Sequence, residues 1–203
     1  MKKKIAILGS TGSIGSSTLK VIHKQKYKIV LLTAKKNFRL LLRQAILFKV
    51  KNVIIDDKNA FLKSKHLFNS KKIKIDLGLD KVNKVIKKKV CYCINSISGI
   101  DGLKPTLDII PLTKNLLIAN KESIICGWDL IEKKLNQCGT KFIPIDSEHF
   151  SIWELIKNDN KNDIDKIVLT ASGGPFLNKS KKNLKNIKPK FALNHPNWKM
   201  GKK

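Results

Sequence analysis

The chain has 203 residues, 42% of them apolar, enough for one well-buried core and a smaller second one. No run approaches the roughly 18 apolar residues of a membrane-spanning helix, and the stretch Ile5-Ala6-Ile7-Leu8 behind Met1-Lys2-Lys3-Lys4 is too short for a secretory signal, so a cytoplasmic protein without a membrane partner is expected. Lys and Arg total 42 against 15 Asp and Glu, a net charge of +27, which raises a basic nucleic-acid-binding protein as one reading.

Two features weigh against that reading. Arg39 and Arg43 are the only arginines, whereas base and phosphate recognition favours the arginine fork. The lysines are scattered over the whole chain among many Asn and Ile, a compositional drift with no footprint, and no nucleic-acid partner is expected. Cys91, Cys93, Cys126 and Cys138 form no C-x-x-C pair and have no histidine at zinc-ligand spacing, so they are expected to be reduced structural thiols.

In chain order, Lys4–Leu8 reads as a strand, Gly9–Gly15 as a glycine-rich turn and Ser16–Lys24 as a helix with Leu19 and Ile22 on its buried face. Ile29–Thr33 reads as a strand, Phe38–Phe48 as a helix and Val53–Asp56 as a third strand. This alternation predicts βαβ units and a parallel, Rossmann-like α/β sheet with helices on both faces. Further strands are predicted at Val90–Ile94, Leu116–Ala119, Lys141–Ile145 and Ile167–Ala171, and helices at Gly127–Gln137 and Ser151–Ile156. Asn158–Asp165 reads as an exposed connection, and the Lys- and Asn-rich stretch from Lys179 has little periodicity. The domains are expected to divide as 1–145 and 146–203.

Strand, Gly9-Ser10-Thr11-Gly12-Ser13-Ile14-Gly15 and helix is the arrangement a pyrophosphate needs. Glycines permit close backbone approach, and the helix N-terminus offers unpaired N–H groups. The spacing G-x-x-G-x-x-G departs from the generic dinucleotide pattern, and an ordinary glycine turn is the plain alternative. After the second strand comes Thr33-Ala34-Lys35-Lys36-Asn37, where NAD sites carry a carboxylate on the ribose. Two ammonium groups and an amide suit a 2′-phosphate, so NADPH is expected over NADH, the alternative being surface lysines in a lysine-rich chain.

Three islands follow. Ala119-Asn120-Lys121-Glu122-Ser123 lies behind a strand, where α/β sheets hold ligands, or else simply caps a helix. In an extended segment the i and i+2 carboxylates of Asp146-Ser147-Glu148-His149 would point the same way and could meet on one hard cation, Mg²⁺ or Mn²⁺; a solvated acidic turn is the alternative. Ser172-Gly173-Gly174-Pro175-Phe176 could present amides to an anion, and His195-Pro196-Asn197-Trp198 resembles a lid or a loop anchored by Trp198.

Taken in order, GSTGSIG, ANKES, IDSEH, ASGGPF and HPNW-x-MG resemble the signature of the 1-deoxy-D-xylulose 5-phosphate reductoisomerase family of the non-mevalonate isoprenoid pathway, over Lys4 to Lys202. The resemblance implies NADPH contacts at Thr11, Gly12, Ser13, Ile14, Lys36, Asn37, Asn120, Glu122 and Gly201, with Lys35 standing where many members have glycine. It implies substrate contacts at Lys121, Ser147, Ser172 and His195, metal ligands at Asp146 and Glu148, and a flap indole at Trp198. The implied reaction is rearrangement of the phosphosugar 1-deoxy-D-xylulose 5-phosphate and its reduction by NADPH to 2-C-methyl-D-erythritol 4-phosphate, with a divalent cation as Lewis acid. In the resembled family the next stretch holds a Ser, an Asn-Lys pair and a Glu that complete the phosphate clamp and the metal site. Later parts form the rest of an α+β catalytic domain and much of a homodimer interface. The expectation is therefore a chain carrying only the start of that catalytic domain, better at binding NADPH than at turnover, with an NADPH-binding remnant as the alternative.

Overall fold

A computed structural model describes residues 2–170, 173–185 and 187–194. The elements in order are β1 (Lys3–Leu8), α1 (Ser13–Val21), β2 (Tyr27–Ala34), α2 (Phe38–Leu47), β3 (Asn52–Ile55), α3 (Lys58–Ser70), β4 (Lys74–Leu77), α4 (Val82–Val85), β5 (Val90–Asn95), α5 (Leu103–Ile109), β6 (Thr113–Ile118), α6 (Lys121–Cys138), β7 (Lys141–Pro144), α7 (Ser147–Ile156) and α8 (Pro189–Ala192). The chain divides into two compact units, Met1–Trp153 and Glu154–Lys203.

The first unit is built on one seven-stranded sheet ordered β4-β3-β2-β1-β5-β6-β7, with each neighbouring pair parallel. Alternation along the strands separates two cores. Ile5 and Ile7 of β1 join Val53 and Ile55 of β3 under Leu19, Leu41, Ala45 and Phe68 of α1, α2 and α3. Ala6, Leu8, Ile54 and Cys93 face the other way, beneath Val82 of α4, Ile109 of α5, and Ile124, Ile131 and Leu135 of α6. The expected parallel α/β sheet with helices on both faces is what forms. Burial among these side chains pushes the Cys93 thiol far above its ordinary pKa, which suits an inert core residue.

Helices α3, α4, α5 and α8 and strand β4 are not among the predicted elements. Helix α3 buries Ala60, Ser64 and Phe68 at a spacing of four, so a polar and a small residue occupy most of its buried stripe. Strand β4 is a short edge strand in which only Ile75 is fully buried. Helix α5 holds Pro105 inside its first turn, where no intrahelical partner for the missing N–H is required. Helix α6 starts at Lys121, earlier than the predicted Gly127, and runs through a kink at Gly127 (φ −136°, ψ 23°).

The second unit contains short turns at Lys161–Asp163, Gly174–Phe176 and Lys181–Leu184, then α8. The strand predicted at Ile167–Ala171 does not form over 167–170, and Ala171 lies outside the described residues. Ile167, Val168 and Leu169 are exposed, and a strand exists only through ladder bonds to a neighbour, which no described segment supplies here. Among the described residues no helix is long and apolar enough to cross a membrane.

What positions the site is the junction of β1 with α1. A Cβ at Gly15 would lie 2.5 Å from the Gly9 carbonyl oxygen and 2.6 Å from Ser10 Cα, so α1 reaches the strand end only because residue 15 has no side chain. Gly15→Ala is expected to cost about 1–3 kcal/mol, read by urea unfolding, because backbone has to move. Gly12→Ala, whose Cβ would meet the Gly9 oxygen at an ordinary 3.4 Å, should change stability by less than about 1 kcal/mol. Equal losses in both variants would contradict the close approach.

Candidate cofactor and metal site at the carboxyl edge of the sheet

Because every strand runs the same way, all the strand ends that carry candidate residues lie on one edge. In the order of the sheet they are Asp56 after β3, Lys35–Asn37 after β2, Gly9–Gly15 after β1, Ser96–Gly99 after β5, Asn120–Glu122 after β6 and Asp146–Glu148 after β7. The chain moves outward from β1 to β4 and then returns to β5 on the other side of β1, so the crevice between β1 and β5 is the topological switch point where such sheets bind ligands. Strands β1 and β7 are three strand spacings apart, about 14 Å.

The glycine turn is tied down by groups that the sequence did not single out. Gly9 N donates to Thr33 Oγ1 (2.9 Å) and Ser10 N to the Thr33 carbonyl (2.9 Å). Ser10 Oγ donates to Gln44 Oε1 (2.8 Å), and Gln44 Nε2 donates back to the Ser10 carbonyl (2.9 Å), with both residues buried. From the other side Ser96 Oγ donates to the carbonyls of Leu8 (2.7 Å) and Gly9 (3.1 Å). Helix α1 therefore starts in a fixed place, with Gly12 as an N-cap that has no side chain to satisfy the first-turn amides. Thr11 is half-buried, and Gly12, Ser13 and Ile14 are exposed beside those amides. Gln44 is a glutamine on an apolar helix, a signal that reads as surface polarity until the fold turns it inward.

Beside the turn, a cavity of about 520 Å³ is lined by Gly9, Thr33, Ala34, Lys35, Asp56 and Asp101 among others. Lys35 and Lys36 are exposed at its β2 side, while Asn37 accepts from Leu40 N (3.1 Å) and caps α2. The sequence around β2 carries no carboxylate, but the fold brings some in. Lys35 pairs with Asp101 at 3.0 Å, and Lys36 pairs with Asp57, the N-cap of α3, at 3.9 Å.

Asn120 is buried, and its Nδ2 donates to the carbonyls of Ile97 (2.7 Å) and Gly99 (3.1 Å), holding the segment after β5. A Cβ at Gly102 would stand 1.9 Å from that nitrogen, so residue 102 must be glycine for Asn120 to reach. Its Oδ1 is buried without a partner in the protein.

At the β7 end the expected extended arrangement is not what forms. Asp146 precedes α7, whose first turn contains Ser147 and Glu148, so helical geometry replaces the predicted i, i+2 alignment. The cause is Asp146 itself, which caps the helix by accepting from His149 N (3.0 Å). Its Oδ1 also meets His149 Nδ1 (2.7 Å), whereas Oδ2 is buried without a partner. Glu148 is held by Lys121 Nζ (2.5 Å) and by Ser147 Oγ (2.8 Å). A buried, unpartnered carboxylate oxygen is the kind of donor a hard cation completes, while Glu148 would have to release Lys121 to join it. Among the described residues no cluster of three or more metal-ligating side chains is assembled. Ser172, His195, Trp198 and Gly201 lie outside the described residues.

Two outcomes follow from this geometry. Gln44→Leu removes the shorter partner from both the Ser10 hydroxyl and the Ser10 carbonyl, leaving the contacts to the Thr33 carbonyl (3.2 Å) and from Ser16 Oγ (3.3 Å), and should cost about 1–2 kcal/mol in urea unfolding. The Lys121 ammonium, then the Ser147 hydroxyl and the Glu148 amide, hold the Glu148 carboxyl at about 2 against an ordinary 4.5. The folded value is depressed, so the contact's contribution is complete above the ordinary value and is lost as pH falls through the folded one. Both side chains are more than a third exposed, which keeps that contribution small. A carboxyl-carbon NMR titration of the metal-free protein should place the Glu148 midpoint near 2, and Lys121→Met should raise it. A Lys121→Met midpoint equal to the wild type would remove Lys121 as the cause.

Comparison with known proteins agrees with this fold. A family model described as 1-deoxy-D-xylulose 5-phosphate reductoisomerase matches residues 5–127, and one for the C-terminal domain of the same enzyme matches 142–203. The reductoisomerase of Pelagibacter ubique is 56% identical over 205 residues, covering 99% of this chain and 53% of the relative, and that of a Wolbachia pipientis strain is 43% identical over 204 residues, with 99% and 52% covered. The chain thus spans about half the length of the curated relatives it matches. Among solved structures, the Zymomonas mobilis enzyme in complex with NADPH superposes with a TM-score of 0.88 at 31% identity, over 97% of this chain and 52% of that one. A reductoisomerase in complex with NADPH, fosmidomycin and magnesium gives 0.82 at 35% identity, over 98% and 52%. With a family model matching more than half of its length, laid over the parallel sheet and the glycine turn, the chain belongs to the 1-deoxy-D-xylulose 5-phosphate reductoisomerase family.

Proposed function

We propose that this chain contributes the cofactor side and the first metal ligands of an enzyme that rearranges 1-deoxy-D-xylulose 5-phosphate and reduces it with NADPH to 2-C-methyl-D-erythritol 4-phosphate. The observation that carries the reading is the single row of strand ends: the glycine turn and the Asp146–Glu148 segment share one edge, with Asn120 between them. A dinucleotide seated at the β1–β5 crevice can therefore run along the edge toward the carboxylates. Residues 1–145 are read as the cofactor part and 146–203 as the start of the catalytic part.

In this reading the first-turn amides of α1, with Thr11, Gly12, Ser13 and Ile14 around them, hold the pyrophosphate. Lys35, Lys36 and Asn37 lie toward the 2′-phosphate. Asn120 keeps the segment after β5 in place, and its buried Oδ1 can accept from the cofactor's carboxamide; Glu122 lies in the first turn of α6. Lys121 and Ser147 face the substrate. Asp146 and Glu148 would hold a Mg²⁺ or Mn²⁺ ion, and Lys121, freed from Glu148, would then meet a substrate oxygen. NADPH supplies the hydride, and the cation supplies Lewis acidity to the substrate oxygens. Ser172, His195 and Trp198 are assigned to the substrate, and Gly201 to the cofactor, on the family resemblance. The setting is read as cytoplasmic.

The test is loss of the 340 nm absorbance of NADPH with the phosphosugar and Mg²⁺ present. Oxidation that requires both, and that Asp146→Asn reduces by roughly 100-fold or more, supports the assignment. NADPH binding without any substrate-dependent oxidation would leave this polypeptide a cofactor binder. Binding of neither NADPH nor NADH would sink the reading.

A further inference from the structure

Lys35 and Asp101 stand on opposite walls of the cavity beside the glycine turn, one behind β2 and the other in the segment between β5 and α5. Their salt bridge, 3.0 Å long, spans the mouth of the crevice between the two halves of the sheet. Asp56 and Asp57, behind β3, are the next carboxylates acting on Lys35. The lysine that the β2 sequence offers to a 2′-phosphate is thus already engaged by a carboxylate in the ligand-free protein.

We propose that Asp101 is a specificity-setting residue of the nucleotide site, which holds Lys35 across the crevice in the free protein and releases it to the 2′-phosphate of a bound dinucleotide. The inference rests on the nucleotide reading above. Both side chains are about two-thirds exposed, so the bridge contributes little to folding and is easily broken. The flexible four-carbon stem of lysine lets its ammonium change partner without backbone movement. A phosphate brings more than one negative charge and three acceptor oxygens against a single carboxylate, so the exchange runs toward the phosphate. A dinucleotide lacking that phosphate offers no replacement, and Lys35 stays with Asp101. Asp101 therefore weakens binding of the phosphorylated cofactor only, which lowers the selectivity that Lys35 and Lys36 would otherwise confer.

The experiment is a double-mutant cycle on the full chain, with NADPH and NADH affinities measured by calorimetry for wild type, Lys35→Met, Asp101→Asn and the double variant. Asp80→Asn serves as a control, since Asp80 lines the same cavity but pairs with Lys81. Asp101→Asn should tighten NADPH by roughly three- to tenfold and change NADH by less than about twofold, beyond any effect of Asp80→Asn. In the Lys35→Met background the gain should shrink to that of the control. A gain no larger than the control's, or one that persists undiminished without Lys35, overturns the exchange while leaving NADPH binding intact. A wild-type chain that binds neither dinucleotide overturns the nucleotide reading and this inference together.

Discussion

Helix α1 begins where it does because residue 15 carries no side chain. Any Cβ there would collide with the end of β1, and the helix would have to retreat from the strand. That contact sets the position of the first-turn amides, and the surrounding bonds exist to keep it. Thr33 holds the turn from β2, Ser96 holds it from β5, and Gln44 clamps Ser10 from α2 in both directions. A phosphate-binding backbone gains from such restraint because amides that are already aligned need no reordering when an anion arrives.

The same edge shows how a strongly basic chain builds a local field that its net charge does not foretell. With +27 overall, the crevice might be thought uniformly positive, yet Asp56, Asp101 and Asp108 line it, and Lys35 and Lys104 are paired with two of them. Under the proposed exchange, attraction of a polyanionic cofactor depends on which lysines can be released from their partners, and the broad lysine excess contributes mainly a screened background.

At the far end the acidic pair forms the start of a helix. Asp146 uses one oxygen to cap α7 and leaves the other buried and unpartnered, a cost that folding alone does not explain. Glu148 meets Lys121 across the gap between α6 and α7, so the residues that the family resemblance assigns to metal and substrate already touch. In the ligand-free protein they neutralise each other, as Lys35 and Asp101 do beside the glycine turn.

The sequence by itself determined the parallel α/β sheet, since apolar strands alternating with helical stretches admit little else, and it located the glycine turn and the motifs at the strand ends. It also marked Asp146 and Glu148 as a pair, though their alignment had to be corrected, because a capping carboxylate turns the following residues into helix and ends the two-residue alternation. Helix α3 and strand β4 were hidden, since Ser64 and a short edge strand break the apolar pattern. The tertiary structure alone decided which side chains meet: Gln44 with Ser10, Asn120 with the segment after β5, Asp101 with Lys35. Those partners are 34, 21 to 23, and 66 residues apart in the chain. Periodicity reports which face of an element is buried, but only the packing of elements reports what a polar group finds there.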